Sequence, residues 1–121
     1  RIMLALKSVI SDKDGIPTVI YDEIDTGVSG KTARKIGIKM LSLSKTTQLF
    51  SVTHSAQIAS LADKHFLISK GDINGETETS VKILDTEGRI CELSRILGGI
   101  NITSAQRAAA EDMLAEKSNY Q

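Results

Sequence analysis

The stretch that decides the fold of this chain is Pro17-Thr-Val-Ile-Tyr-Asp-Glu-Ile-Asp-Thr-Gly-Val-Ser-Gly30. Residues 18–21 carry β-branched or aromatic side chains without polar alternation. Such a run predicts a short strand buried on both faces, as in a parallel sheet covered by helices. The strand ends in two adjacent carboxylates, Asp22 and Glu23, followed by a turn rich in Gly and Ser. Because ligands bind outside the carboxyl ends of strands in open α/β sheets, a polar site is expected here.

The acidic pair has two interpretations. An apolar strand that closes in Asp-Glu has the form of a Walker B element, in which the Asp holds Mg²⁺ and the second carboxylate orients or deprotonates an attacking water. In the alternative, Asp22 and Glu23 lie in a solvated loop and only cap the next helix. His54 bears on the choice because it follows the next apolar run, residues 48–53, just before another helix. It is therefore expected at the same edge of the sheet as Glu23.

The composition limits the class of protein. With 121 residues, the chain is one domain's worth but short for a complete nucleotide-hydrolysing domain. Fifteen basic and fifteen acidic side chains balance, so charge gives no global case for binding nucleic acid or a membrane surface. The single cysteine, Cys91, fits a reducing cytoplasm and is predicted to be a buried structural thiol. No apolar run approaches the roughly 20 residues of a membrane span.

The opening residues, 1–10, already follow an amphipathic helical rhythm, with Ile2, Ala5, Leu6 and Val9 on one side. Neither an initiator Met nor a capping residue precedes this rhythm. We therefore expect the chain to be the C-terminal piece of a longer protein.

The rest of the chain alternates strands and helices. Ser29 is a plausible N-cap for a helix whose apolar stripe is Ala33, Ile36, Gly37, Met40 and Leu41. The further predicted elements are a strand at 48–53, a short helix at 55–62, strands at 64–69 and 79–84, a tight turn at 85–88, helical turns at 92–97, and a helix that starts at a capping box over 103–106. This order indicates an α/β fold with a mostly parallel sheet and a terminal antiparallel strand pair.

Together these residues resemble a known family. Residues 20–30 and 51–58 are similar to the motifs of the C-terminal lobe of an ABC-type ATPase head, and more narrowly to DNA-repair relatives of the SMC proteins. Residues 1–7 look like the helix that follows the ABC signature loop, and residues 93–99 are similar to the end of the family's chains. The resemblance implies a P-loop NTPase-like fold. It also implies that residues 1–121 are the C-terminal part of the head, with the Walker A motif, Q-loop and signature loop lying upstream.

The resemblance also implies a role for each site residue. Asp22 would be the Walker B carboxylate that holds Mg²⁺, Glu23 the general base, and His54 the switch histidine that contacts the γ-phosphate. The D-loop, which reaches across a nucleotide-sandwich dimer in such heads, would be formed by Gly27, Val28, Ser29 and Gly30. Most ABC heads carry an Asp where this chain has Ser29, and the DNA-repair family tends to share this departure.

The implied function is that of an ATPase-head lobe in a protein of DNA double-strand break repair and recombination. ATP and Mg²⁺ would be its cofactors in the intact protein. Its partners would be the N-terminal lobe of the same protein, a second head in a homodimer, and DNA, in the cytoplasm at the nucleoid and with no membrane partner. Because the phosphate cradle would lie upstream, we expect the chain alone to be inactive. Two alternatives stay open, namely another SMC-like or transporter-type ABC head and a non-enzymatic α/β interaction module.

Overall fold

The computed structural model describes residues 18–121, and the helix expected at residues 1–10 lies outside this range. The described elements, in chain order, are β1 (Thr18–Asp22), α1 (Gly30–Leu43), β2 (Gln48–Val52), α2 (Ala56–Ala59), β3 (Phe66–Ile73), β4 (Glu76–Ile83), α3 (Thr86–Gly98), α4 (Ser104–Glu116) and a final 3-10 helix (Lys117–Tyr120). The α/β class expected from the sequence is confirmed: β1 and β2 are parallel, and β3 and β4 are antiparallel.

The parallel pair is covered on one face by α1. Val19, Tyr21 and Leu49 point to that face and pack with the buried stripe of the helix. The prediction that β1 is buried on both faces is wrong for the described part of the chain, because Ile20 is 66% exposed. Ile20 lies beside Phe50 on the opposite face of the sheet, which residues 18–121 leave largely uncovered.

Helix α1 begins where the sequence predicts. The Ser29 side chain accepts a hydrogen bond from the Thr32 N–H and so caps the first turn. The buried stripe is Ala33, Ile36, Gly37, Met40 and Leu43. The predicted Leu41 is only half-buried and Leu43 takes its place, because the inward face returns three to four residues after Met40 rather than one.

The antiparallel pair is longer than predicted. It is closed by a two-residue turn, Asn74-Gly75, in which both residues have positive φ (53° and 82°). An Asn-Gly pair suits such a turn because both residues tolerate the left-handed conformation. Within residues 18–121 most side chains of this hairpin are exposed.

The segment after the hairpin departs most from the sequence-based expectation. The tight turn predicted at 85–88 is wrong, because Asp85 instead caps α3 by accepting a hydrogen bond from the Gly88 N–H at 2.7 Å. Helix α3 continues to Gly98 and packs on α4 through a second core that includes Ile90 and Leu93. Cys91 is exposed rather than buried, since it lies on the side of α3 away from this core. The capping box that starts α4 at Thr103 is confirmed.

Candidate functional site

The carboxyl ends of the two parallel strands meet at one edge of the sheet. β1 ends at Asp22 and β2 at Val52, and these residues are register partners. The backbone N–H of Glu23 donates to the carbonyl of Val52 at 2.9 Å, which extends the pairing one residue beyond β1. The loops that follow the two strands are therefore neighbours, although they are distant in sequence.

These loops bring together Glu23 and His54, as the sequence predicted. Oε1 of Glu23 lies 2.8 Å from Nε2 of His54. The Glu23 side chain is 50% exposed and that of His54 is 85% exposed, so both reach solvent. Glu23 also has φ +48°, a left-handed conformation that is uncommon for a residue with a side chain. A carboxylate and an imidazole in contact at an open edge can accept, hold and pass on a proton.

Asp22 precedes this pair as an exposed carboxylate at the last position of β1. Carboxylate oxygens suit Mg²⁺, which commonly takes one or two protein carboxylates and completes its coordination with water and phosphate oxygens. Residues 18–121 hold no cluster of three or more His, Cys, Asp or Glu side chains arranged to bind a metal ion. A single exposed carboxylate such as Asp22 can serve as one of those protein ligands.

The four predicted D-loop residues form the approach to α1. Gly27 has φ +75°, the N–H of Val28 donates to the carbonyl of Asp25 at 3.2 Å, and Gly30 is the first helical residue. Between them Ser29 uses its hydroxyl oxygen to cap α1. Ser29 therefore caps this helix. The alternative interpretation, in which Asp22 and Glu23 cap it, is wrong.

One polar contact at this edge was not singled out in the sequence. The hydroxyl of Thr53 donates to Oδ2 of Asp25 at 2.6 Å, and Oγ1 of Thr53 accepts a hydrogen bond from the backbone N–H of Ser55 at 2.9 Å. Asp25 and Thr53 are both half-buried. Their positions in the sequence could have indicated this contact, because each is a polar residue in one of the two loops that were predicted to meet.

Arg89, on helix α3, forms hydrogen bonds to the end of the helix that follows His54. Its guanidinium donates to the carbonyls of Ala59, Ser60 and Ala62 at 2.9 to 3.3 Å. These carbonyls lie at the end of α2 and in the turn after it, where a helix leaves acceptors without intrahelical partners. Burial lowers the pKa of Arg89 from its usual value, and the charge of Asp63 opposes that effect. The contact fixes the end of α2, and thereby the segment that carries His54.

The architecture matches a known class of ATPase. A solved chain described under "Structural biochemistry of ATP-driven dimerization and DNA stimulated activation of SMC ATPases" superposes with a TM-score of 0.61 and 22% sequence identity, covering 78% of this chain and 56% of that one. The fold of this chain is therefore that of part of an SMC-type ATPase head.

Relatives in sequence give the family, although no protein-family model matches the chain. The DNA repair protein RecN of Rickettsia conorii is 43% identical over 114 residues, that of Halalkalibacterium halodurans is 39% identical over 114, and that of Bacillus subtilis is 36% identical over 116. The alignments cover 94 to 96% of this chain. The chain belongs to the RecN family. It spans about a fifth of the length of these relatives, 20 to 21%.

The helices between residues 18 and 121 include none that is long and apolar enough to cross a membrane.

Proposed function

We propose that this chain supplies the Walker B carboxylate Asp22, the general base Glu23 and the switch histidine His54 for ATP hydrolysis in a RecN-like protein of DNA double-strand break repair. The observation that carries the proposal is the 2.8 Å contact between Glu23 and His54 at the open edge of the parallel strands. Membership of the RecN family and the SMC ATPase fold support it.

Each residue would perform a separate task. Asp22 would hold Mg²⁺, which when bound neutralises charge on the phosphate oxygens of ATP. Glu23 would orient the attacking water and accept its proton, because half of its side chain remains open to solvent. His54 would contact the γ-phosphate while Glu23 contacts its Nε2 atom. A carboxylate and an imidazole suit this reaction, which depends on positioning and charge more than on covalent chemistry.

The rest of the intact protein would complete the site. The chain carries no Walker A sequence, so we assign the phosphate cradle, the Q-loop and the signature loop to an N-terminal lobe of the same protein. The exposed apolar face formed by Ile20, Phe50 and Val52 supports docking of further structure on the sheet. The D-loop, Gly27 to Gly30, would contact a second head in a homodimer. DNA would be the partner of the intact protein, in the cytoplasm at the nucleoid.

The test is steady-state ATP turnover of the intact protein. Glu23→Gln is expected to bind ATP normally and to lower kcat about 100-fold or more, because one general base contributes roughly that factor. Asp22→Asn is expected to weaken binding of Mg²⁺-ATP, and His54→Ala to lower kcat. Glu78→Gln on the exposed strand β4 makes the same chemical change away from the site and serves as the matched control.

Two outcomes would overturn the assignment. If Glu23→Gln turns over ATP at the wild-type rate, Glu23 is not the base. If the intact protein hydrolyses no ATP at all, the acidic edge is structural and the chain is better described as an interaction module.

A further inference from the structure

We propose that Asp25 and Thr53 are positioning residues that hold Glu23 and His54 in their working arrangement. The inference rests on the proposed function, since it concerns how that site is kept in place. Its basis is one hydrogen bond, 2.6 Å from Oγ1 of Thr53 to Oδ2 of Asp25, between the two loops that carry the pair.

The Thr53 hydroxyl is engaged in two directions. Its hydrogen goes to Asp25 in the loop after β1, and its oxygen accepts the N–H of Ser55 in its own loop. His54 lies between Thr53 and Ser55, so this hydrogen bond closes a turn around His54. The 2.6 Å separation is in the range of charge-assisted O–H···O⁻ hydrogen bonds, which are stronger than neutral ones.

The loop that carries Glu23 is closed in a similar way. Both the N–H and the hydroxyl of Thr26 donate to the Glu23 carbonyl, at 3.2 and 2.9 Å. The next turn uses the carbonyl of Asp25 as acceptor for Val28. Asp25 therefore belongs to a loop whose backbone is already folded on itself, and its carboxylate is the part that reaches across to Thr53.

Glu23 and His54 are exposed, so contacts other than packing must keep them in place. Packing alone does not fix side chains that are 50% and 85% exposed. Within residues 18–121, the Thr53–Asp25 bond is the side-chain hydrogen bond that joins the two loops besides the Glu23–His54 contact itself. Without it, Glu23 and His54 would keep their chemistry but lose their shared geometry. Since reacting groups must be placed within fractions of an ångström, a displacement near 1 Å can lower a rate about 100-fold.

The experiment uses the intact protein and isosteric variants. Thr53→Val removes the hydroxyl and keeps the shape, Thr53→Ser keeps the hydroxyl, and Asp25→Asn keeps the acceptor without its charge. Thr79→Val, at an exposed position of β4, is the matched control. For each variant, kcat, the dissociation constant for ATP, the Mg²⁺ concentration for half-maximal turnover and the melting temperature are measured.

We expect Thr53→Val to lower kcat by about 10- to 100-fold, with the dissociation constant for ATP unchanged within about twofold. Thr53→Ser should keep most of the wild-type kcat, and Asp25→Asn, which keeps an uncharged acceptor and so a weaker hydrogen bond, should fall between Thr53→Ser and Thr53→Val. Adding Thr53→Val to Glu23→Gln should cost little more than Glu23→Gln alone, because both changes act on the same proton transfer. A loss of stability alone would not produce this non-additivity.

Three results would overturn the inference. One is a wild-type kcat for Thr53→Val. Another is a parallel loss of ATP binding, melting temperature and kcat, which would make the bond merely structural. The third is a raised Mg²⁺ requirement in Asp25→Asn but not in Thr53→Val, which would make Asp25 a metal ligand. A failure of the proposed function can be distinguished from these three results, because Glu23→Gln by itself would then show normal ATP turnover.

Discussion

Oε1 of Glu23 and Nε2 of His54 lie 2.8 Å apart although the two residues are 31 positions apart along the chain. The in-register pairing of β1 with β2 brings the residues after the two strands to the same level. Residues in direct contact do not contribute independently, so mutations at the two positions are expected to interact energetically.

A double-mutant cycle on ATP turnover measures that interaction. In the intact protein, Glu23→Gln and His54→Ala should each lower kcat, and the double variant should be slower than Glu23→Gln by less than the factor that His54→Ala causes alone. The physical reason is that His54 acts partly by orienting Glu23. Multiplicative effects of the two changes would show that the observed contact has no part in turnover.

The packing of α1 against α2 predicts the effect of enlarging Gly37. A Cβ atom at this position would lie 2.8 Å from Cδ1 of Leu61 and 3.4 Å from backbone atoms of Gln57 and Ile58. Gly37→Val should therefore lower the free energy of unfolding by about 1–3 kcal/mol, the usual cost of overpacking. Urea unfolding of this chain measures it.

Gly71→Val is the control for that substitution, because nothing lies within 4 Å of a Cβ atom there and the residue is in a strand. It should leave stability unchanged or slightly raised. Equal stability of Gly37→Val and the wild type would mean that the two helices separate without cost.

His65 gives a pH dependence of stability. Burial, followed by the positive charge of Arg89, lowers the pKa of His65, and Glu92 opposes this. Within residues 18–121 the buried Nδ1 atom of His65 has no hydrogen-bond partner. Since the unfolded chain binds this proton at a higher pH than the folded one, the free energy of unfolding should fall as pH drops below about 6.5.

Replacing His65 isolates its part of that pH dependence. His65→Gln should reduce the slope of unfolding free energy against pH below about pH 6.5, measured by urea denaturation at each pH. Glu87, whose pKa is lowered mainly by the hydrogen bond from Arg107, acts in the same direction but at more acidic pH. An unchanged slope in His65→Gln would show that His65 takes up its proton equally in both states.

The exposure of Cys91 predicts its reactivity. Its Sγ lies on the outer side of α3, 3.8 Å from Oε1 of Glu87. In the native chain, a water-soluble disulfide reagent should therefore label one thiol without denaturant, and Cys91→Ser should show no labelling. Labelling that appears only after unfolding would instead support the sequence-based prediction that Cys91 is buried.

Local signals explain what could be predicted from the sequence. The acidic strand end at Asp22, the cap at Ser29 and the capping box at Thr103 depend on residues a few positions apart, and each is found in the structure. The meeting of Glu23 with His54 followed from one topological rule, that parallel strands end at the same edge. The roles of these residues in catalysis stay predictions.

The remaining features depend on tertiary contacts that no short pattern contains. Asp85 with Gly88 fits a tight turn as well as a helix start, and packing of α3 on α4 through Leu93 favours the helix. The exposure of Ile20 depends on what covers the second face of the sheet. The hydrogen bond from Thr53 to Asp25 joins residues 28 positions apart, so the local sequence around either residue does not reveal it.

The parallel connection between β1 and β2 has a consequence for the order of folding. The hairpin β3–β4 and the helix pair α3–α4 join neighbours in the chain and close through short turns, which costs little entropy. The pair β1–β2 is joined by a longer crossover through α1, so its strands must meet across a larger loop. Contacts between distant residues form slowly. The edge that carries Glu23 and His54 should therefore be among the last parts to assemble, so that a partly folded chain does not yet hold these two side chains together.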